Sequence, residues 1–136
     1  MILIRKMEAT MPKAEGMVFK FDSEKKINVS FLETIAYSGN PQQVVYDTKE
    51  FSAVCPFSGL PDYGRLVITY VPKKKIVELK SLKYYLISYR NVGIYQEAAT
   101  NRIFNDLYSL LKPAYLKIET IYNTRGGIDT TCVMES

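Results

Sequence analysis

The chain alternates apolar Ile27, Val29 and Phe31 with polar Asn28 and Ser30, the period-two pattern of a strand. Ser38-Gly39-Asn40-Pro41 is turn chemistry. Residues 43–48, with Val44, Val45 and Tyr46 at their centre, predict a second strand. Leu66, Ile68 and Tyr70 alternate with Arg65, Val67 and Thr69, which predicts a strand over residues 65–71 that stops at Pro72. The period then lengthens. Leu79, Leu82 and Leu86 recur at helical spacing and predict a helix over residues 79–90, broken by Asn91-Val92-Gly93. Ala99, Ile103, Phe104, Leu107, Leu110 and Leu111 form the stripe of a second helix over residues 95–111, and Pro113 stops it. Alternation returns in residues 115–122, residues 123–127 read as a turn, and residues 128–134 as a last strand. Residues 1–26 carry no clear period and predict no element.

Strands, two adjacent helices, then strands argue for an α+β fold: an antiparallel sheet with both helices on one face. A length of 136 residues suits a single domain, 1–136. Edge strands of such a sheet invite pairing between subunits, so a homo-oligomer is expected. No apolar run is long enough to span a bilayer, and the first apolar stretch is too short for a signal peptide core, which makes a cytoplasmic setting the expectation.

Composition narrows the chemistry. The chain has no histidine, which excludes Ser-His-Asp and Cys-His catalysis and His-ligated zinc or iron. Two cysteines, Cys55 and Cys132, are too few for a Cys-rich metal site or a disulfide scaffold, so no metal is expected. The net charge of +4 is compatible with a phosphorylated ligand or nucleic acid and proves neither. Its densest basic run, residues 73–75, reads as a solvated turn. Neither G-x-G-x-x-G nor a Walker A motif occurs, so Rossmann and P-loop sites are unsupported.

Four groups of residues remain as candidates for chemistry. Cys55 sits in a Pro- and Gly-rich stretch, residues 55–64, read as a structured loop, and Asp62 is the nearest acid/base. The same pair is also what a small buried thiol beside a turn aspartate looks like. Glu78 and Glu97 open the two helices, where carboxylates either cap N–H groups or present two acceptors to a purine-like N–H edge. Lys80 and Lys83 are neighbours on one helical surface and suit a phosphate as well as they suit water. Arg125-Gly126-Gly127 fits a hairpin turn or a phosphate-gripping loop.

Together these pieces resemble a known family. Glu78-Leu79-Lys80-Ser81-Leu82-Lys83-Tyr84-Tyr85 fits every position of the signature of the NADPH-dependent 7-cyano-7-deazaguanine reductases, the nitrile reductases of queuosine biosynthesis. Cys55-Pro56, Ser58-Gly59 and Pro61-Asp62 match that family's Cys-Pro-x-Ser/Thr-Gly-x-Pro-Asp loop. Glu97 and Arg125-Gly126-Gly127 fall where it has a substrate carboxylate and an Arg-Gly-Gly turn. The resemblance spans residues 43–130.

The resemblance implies a tunnelling fold assembled into rings with sites between subunits, no membrane, and no direct nucleic-acid contact. It implies a Cys55 thioimide, protons handled by Asp62, and NADPH as hydride donor. It also implies a substrate pocket of Val77, Glu78, Leu79, Gln96 and Glu97, and cofactor phosphates on Lys80, Lys83, Arg125, Gly126 and Gly127. Two positions depart from the pattern. Gln96 stands where the family usually has His, which removes any titrating relay there while keeping hydrogen bonds. Thr124 precedes Arg125 where the family often has Pro. Alternatives that the residues leave open are a tunnelling-fold amidinotransferase or other deazapurine or pterin enzyme, and a non-enzymatic RNA-binding module.

Overall fold

A computed structural model describes residues 12–136. Its elements are β1 (Thr34–Ala36), β2 (Val44–Val54), β3 (Pro61–Val71), β4 (Lys75–Val77), α1 (Leu79–Ile87), α2 (Gln96–Leu111), β5 (Tyr115–Arg125) and β6 (Ile128–Glu135). β2, β3, β5 and β6 form one antiparallel sheet in that order, and β1 and β4 pair in a short separate ribbon. Alternation decides which face is covered. Leu66, Ile68 and Tyr70 of β3 and Leu116, Ile118 and Thr120 of β5 are buried with Leu82 and Tyr85 of α1 and Ile103, Leu107 and Leu111 of α2. Both helices therefore lie on one face, as the element order predicts. Each fully buried aliphatic side chain there contributes about 2 kcal/mol. A buried polar pair on this face is self-satisfied, Thr100 and Thr120 sharing a hydroxyl hydrogen bond of 2.6 Å. Among the described residues no helix is long and apolar enough to cross a membrane.

Two β-bulges shift which residues face the helices. In β2 the register jumps from Thr48 opposite Leu66 to Phe51 opposite Gly64, one extra residue on the β2 side. Side-chain parity inverts there, so even-numbered Tyr46 and odd-numbered Phe51 and Ala53 all face the core. In β5 the register jumps from Tyr122 opposite Thr130 to Arg125 opposite Ile128. Again one extra residue inverts parity, turning Arg125 to the face on which Tyr122 lies.

Several boundaries differ from the sequence reading. The strand expected at residues 27–31 is absent. Two 3-10 turns, Glu24–Lys26 and Val29–Phe31, stand around it. The Ser23 and Asn28 side chains accept the N–H groups of Lys25 and Ser30, and these local caps outcompete the strand pattern. The expected loop over residues 55–64 ends early, because Pro61–Gly64 already pair with β2; Pro at the first position of a strand loses no ladder bond. β2 continues past Lys49 and Glu50 by bulging. The first helix stops at Ile87 and the second starts at Gln96. β5 runs on through residues 123–125, leaving only Gly126 and Gly127 as the hairpin turn. β1 and β4 carry too few residues for a periodic signal. Of the unassigned residues 1–26, those before residue 12 lie outside the described residues.

Candidate active site

Cys55 follows β2 directly, and the chain fixes what stands next to it. The Val54 N–H donates to Val92 O (3.0 Å), and the Ile94 N–H donates back to Val54 O (3.2 Å). Ile94 leads into Tyr95, the N-cap of α2, so the first turn of that helix, with Gln96 and Glu97, lies beside the end of β2. A second stitch holds the same segment from outside. The Asp22 N–H donates to Asn91 O (2.8 Å), and the Gly93 N–H donates to Asp22 O (2.9 Å).

Asp62 occupies the helix-facing side of β3, opposite Ala53, and is only 4% exposed. A carboxylate that buried needs a partner. The bulge in β5 supplies one, as Arg125 Nη1 donates to Asp62 Oδ1. Cys55, Asp62, Gln96, Glu97 and Arg125 thus come together from β2, β3, α2 and β5, and with Phe57 and Tyr95 line a cleft of about 160 Å³. Phe57 and Tyr95 are largely exposed and meet edge-on, ring centroids 5.9 Å apart.

Neighbouring donor groups lower the Cys55 thiol. The Ser58 hydroxyl is the strongest influence, then the Ser58 N–H, then the Phe57 N–H and the Arg125 side chain; partial burial opposes them. The donors win, and the thiol is pulled down from 9.0 to about 7. The thiol is thus drawn toward neutral pH without any histidine.

Other expected site residues lie elsewhere in the chain. Val77 is buried, its N–H donating to the Tyr70 hydroxyl (3.3 Å). Glu78 caps α1, Oε1 accepting the Lys80 N–H (2.9 Å) and Oε2 the Ser81 N–H (2.7 Å). These two N–H groups hold its carboxyl below the usual range. Leu79 and Lys83 line a separate groove of about 460 Å³ between α1 and strands β2 and β3, floored by Leu66, Ile68 and Phe51. Lys80 is exposed, its ammonium 5.8 Å from the Tyr84 ring centroid. The residues fit a phosphate-bearing cofactor. Lys80 and Lys83 present solvent-facing ammonium groups from one helix. Gly126 and Gly127, at φ 57° and 77°, have no heavy atom within 4 Å of where a Cβ would stand, leaving their backbone open to an anion.

Sequence reasoning missed three contributors: the bond between Arg125 and Asp62, the sulfur-directed role of Ser58, and the strap of residues 19–22. The strap had a signal in Gly59 and Gly93. A Cβ on Gly59 would stand 2.3 Å from Phe19 O, and one on Gly93 would stand 2.3 Å from the Phe21 ring. The Arg125 bond had none, because a bulge leaves no mark in residue type.

Comparison with known proteins points to the same family as the motifs. The family model for QueF-like protein matches residues 61–136. The NADPH-dependent 7-cyano-7-deazaguanine reductases of Thermotoga petrophila and Thermotoga maritima are each 58% identical over 127 residues, covering 93% of this chain and 93% of theirs. That of Caldicellulosiruptor bescii is 52% identical over 111 residues, 80% of this chain and 85% of its own. Among solved structures, the crystal structure of the archaeosine synthase QueF-Like in the apo form superposes with a TM-score of 0.67 at 23% identity, covering 72% of this chain and 96% of that one. At that identity the likeness is one of fold, and the fold is the α+β tunnelling fold that the motifs imply. Aligned along most of its length at more than half identity, and matching that family's loop and helix signature in order, the chain belongs to the NADPH-dependent 7-cyano-7-deazaguanine reductases.

Proposed function

We propose that this chain reduces the nitrile of 7-cyano-7-deazaguanine to the primary amine of 7-aminomethyl-7-deazaguanine through a covalent adduct on Cys55. One observation carries the reading: a cysteine thiol, a buried carboxylate and an arginine share one cleft with the first turn of a helix. Cys55 Sγ adds to the nitrile carbon. A C–S bond forms, one C–N π bond breaks, and the nitrogen takes a proton to give a thioimide. Asp62 carries that proton. It is the thiol's own when reaction starts from the thiol, and a solvent proton when it starts from the thiolate. When bound, NADPH supplies a hydride to the thioimide carbon and, from a second molecule, one to the imine carbon. Cys55 leaves as thiolate between the two, so nitrile, two NADPH and two protons balance amine and two NADP+. Phe57 and Tyr95 shield the adduct from water.

Glu97 accepts the paired N–H groups of the ring, and Gln96 contributes hydrogen bonds but no titrating proton. Lys80, Lys83 and Arg125 hold cofactor phosphates, with Gly126 and Gly127 giving close approach. Arg125 has donors to spare, since one N–H serves Asp62 and a guanidinium carries five.

Val77, Glu78, Leu79, Lys80 and Lys83 do not line the Cys55 cleft of their own chain. They complete a site if a second copy brings them there. Among the described residues β2 and β6 are the outer strands of the sheet, and Val45 on the first and Val133 on the second are about half exposed. The working enzyme is accordingly a homo-oligomer of ring type with sites between subunits. Mixing Cys55→Ala with Lys83→Ala subunits after reversible dissociation then restores turnover; no restoration from two separately inactive variants refutes shared sites.

The function itself is tested by NADPH oxidation on adding 7-cyano-7-deazaguanine, with Cys55→Ala in parallel. Two NADPH consumed per nitrile by the native protein, none by the variant, and a mass adduct on Cys55 in the absence of NADPH are expected. Neither turnover nor adduct refutes the reading.

A further inference from the structure

The helix signature ends on Tyr84-Tyr85, and the chemistry proposed above uses neither ring. Tyr85 is fully buried, so it touches no ligand. Its hydroxyl instead donates to Asp106 Oδ2 on α2 (2.6 Å). With that proton committed, its oxygen accepts from the hydroxyl of Tyr89 (2.8 Å), which is also fully buried. Arg102 Nε donates to the same Asp106 oxygen from one helical turn away (2.8 Å) and balances its charge. The rings pack as well. Tyr85 meets Tyr89 edge-on, centroids 5.4 Å apart, and Tyr89 lies 5.5 Å from the Phe51 ring of β2. Phenylalanine would keep that packing, so the two hydroxyls answer a different need. Among the described residues, the bond from Tyr85 to Asp106 is the one hydrogen bond between α1 and α2. The other long-range side-chain ties of α1 and its cap run to residues 28–33, outside the main sheet. There the Glu33 N–H donates to Ser81 Oγ (3.0 Å), and the Asn28 N–H donates to Ser88 Oγ (3.0 Å). Apolar packing under Leu82 and Tyr85 holds α1 down but is not directional.

We propose that Tyr85, anchored on Asp106, is a positioning residue for cofactor binding: its hydroxyl fixes the rotation of α1 about its axis, and with it the place of Lys80 and Lys83. Both lysines ride on the exposed side of the helix whose buried side carries Tyr85. An ammonium at least about 6 Å from the helix axis moves by about 1 Å when the helix turns by about 10°. A hydrogen bond that fixes the rotation therefore fixes where the two positive charges stand. A buried polar network sets a unique arrangement in this way only when its members are satisfied, and here both phenols and the carboxylate are. The proposal rests on the reading of Lys80 and Lys83 as cofactor-phosphate groups, and its test separates the two.

The test is the Kd for NADPH, read from cofactor fluorescence on titration without nitrile. Tyr85→Phe weakens binding about threefold, less than the roughly tenfold expected for Lys83→Ala, because displacing an ammonium costs less than deleting it. In a Lys80→Ala/Lys83→Ala background the same change at Tyr85 alters Kd no further, since groups acting through one another are not additive. The covalent adduct of Cys55 with the nitrile still forms in Tyr85→Phe. Ile103→Val, which trims the buried face of α2 away from the tyrosines, lowers Tm and leaves Kd native. Should Tyr85→Phe not fold because the Tyr89 hydroxyl is orphaned, Tyr85→Phe/Tyr89→Phe removes both hydroxyls and is read the same way. Native binding in Tyr85→Phe beside weakened binding in Lys83→Ala overturns the proposal alone. A further threefold loss in the background lacking both lysines, lost adduct formation, or equal weakening by Ile103→Val overturns it as well, since each makes the effect a general loosening. Native binding in Lys83→Ala refutes the cofactor reading and the proposal with it.

Discussion

A single methyl group at Gly59 tests how the nucleophile turn is held. Gly59 has φ +72°, and an added Cβ would stand 2.3 Å from Phe19 O and 2.9 Å from Phe19 C. Both are backbone atoms, so relief requires the strap or the turn to move. Gly59→Ala therefore carries two penalties. The left-handed conformation costs about 1–2 kcal/mol for a residue with a Cβ. Moving the strap away breaks the hydrogen bond from the Phe19 N–H to Ser58 O, worth about 1 kcal/mol, and loosens the packing around it. The sum is about 3 kcal/mol, or roughly 10 °C in Tm for a domain of this size. Gly126→Ala is the internal control. Its φ is +57° but nothing lies within 4 Å of the added carbon, so only the conformational penalty of about 1 kcal/mol applies. Thermal unfolding of both variants under identical conditions reads the difference. Turnover reads the consequence, since a nucleophile displaced by about 1 Å loses on the order of a hundredfold in rate. If Gly59→Ala melts no lower than Gly126→Ala and keeps its rate, the strap does not hold the turn and the reasoning is wrong.

Other expectations follow from single contacts. Arg125→Ala leaves the Asp62 carboxylate buried without its cation; because the arginine side chain is half exposed, the expected loss is about 1–2 kcal/mol rather than that of a fully buried pair, and denaturant unfolding that shows none refutes the pairing. Lys83→Ala raises the KM for NADPH about tenfold while the Cys55 adduct with the nitrile still forms in the absence of cofactor; lost adduct formation refutes a cofactor role. Gln96→His adds a near-neutral ionisation to the pH profile of kcat/KM beside that of Cys55, and a native profile already showing an inflection removed by Gln96→Ala contradicts the reading. Tyr122→Phe deletes a buried hydroxyl with no hydrogen-bond partner among the described residues, so Tm stays level or rises; a fall of several degrees would reveal a partner.

The covered face of the sheet was legible from alternation because β3 and β5 keep strict parity from residue 62 to 71 and from 115 to 122, and burial follows it residue by residue. Both helices were legible from their stripes, and their ends were not. Asn91-Val92-Gly93 was expected to break the first helix, but Ser88 already ends it: its N–H closes the last turn on Tyr84 O and its hydroxyl donates to Tyr85 O. The misread strand at residues 27–31 shows the competing force plainly. Alternation there was real, but Asn28 accepts the Ser30 N–H two residues on, and Val29 and Phe31 stay about two-fifths exposed because a turn gains nothing from burying them.

For the candidate site the sequence could offer residue types and order, while the fold added parity. Asp62 was read as a loop residue and is a strand residue, and the difference matters chemically. In a loop its carboxylate would face water; on β3 it shares a face with Ala53 and is buried, which obliges a cation to reach it. An unbulged β5 would alternate through residues 122–125, Tyr122 facing the helices and Arg125 facing away. The extra residue after Tyr122 reverses that, so the half-exposed guanidinium meets Asp62. The β2 bulge acts in the same way, keeping Ala53 on the helix-facing side after Tyr46 so that the chain leaves the strand at Cys55 alongside residues 92–94. Each bulge is a single unpaired residue with no compositional mark, yet deleting either would invert everything downstream of it on its strand. Bringing the nucleophile, its carboxylate and its arginine to one cleft therefore depends on two insertions of one residue as much as on the identities of Cys55, Asp62 and Arg125.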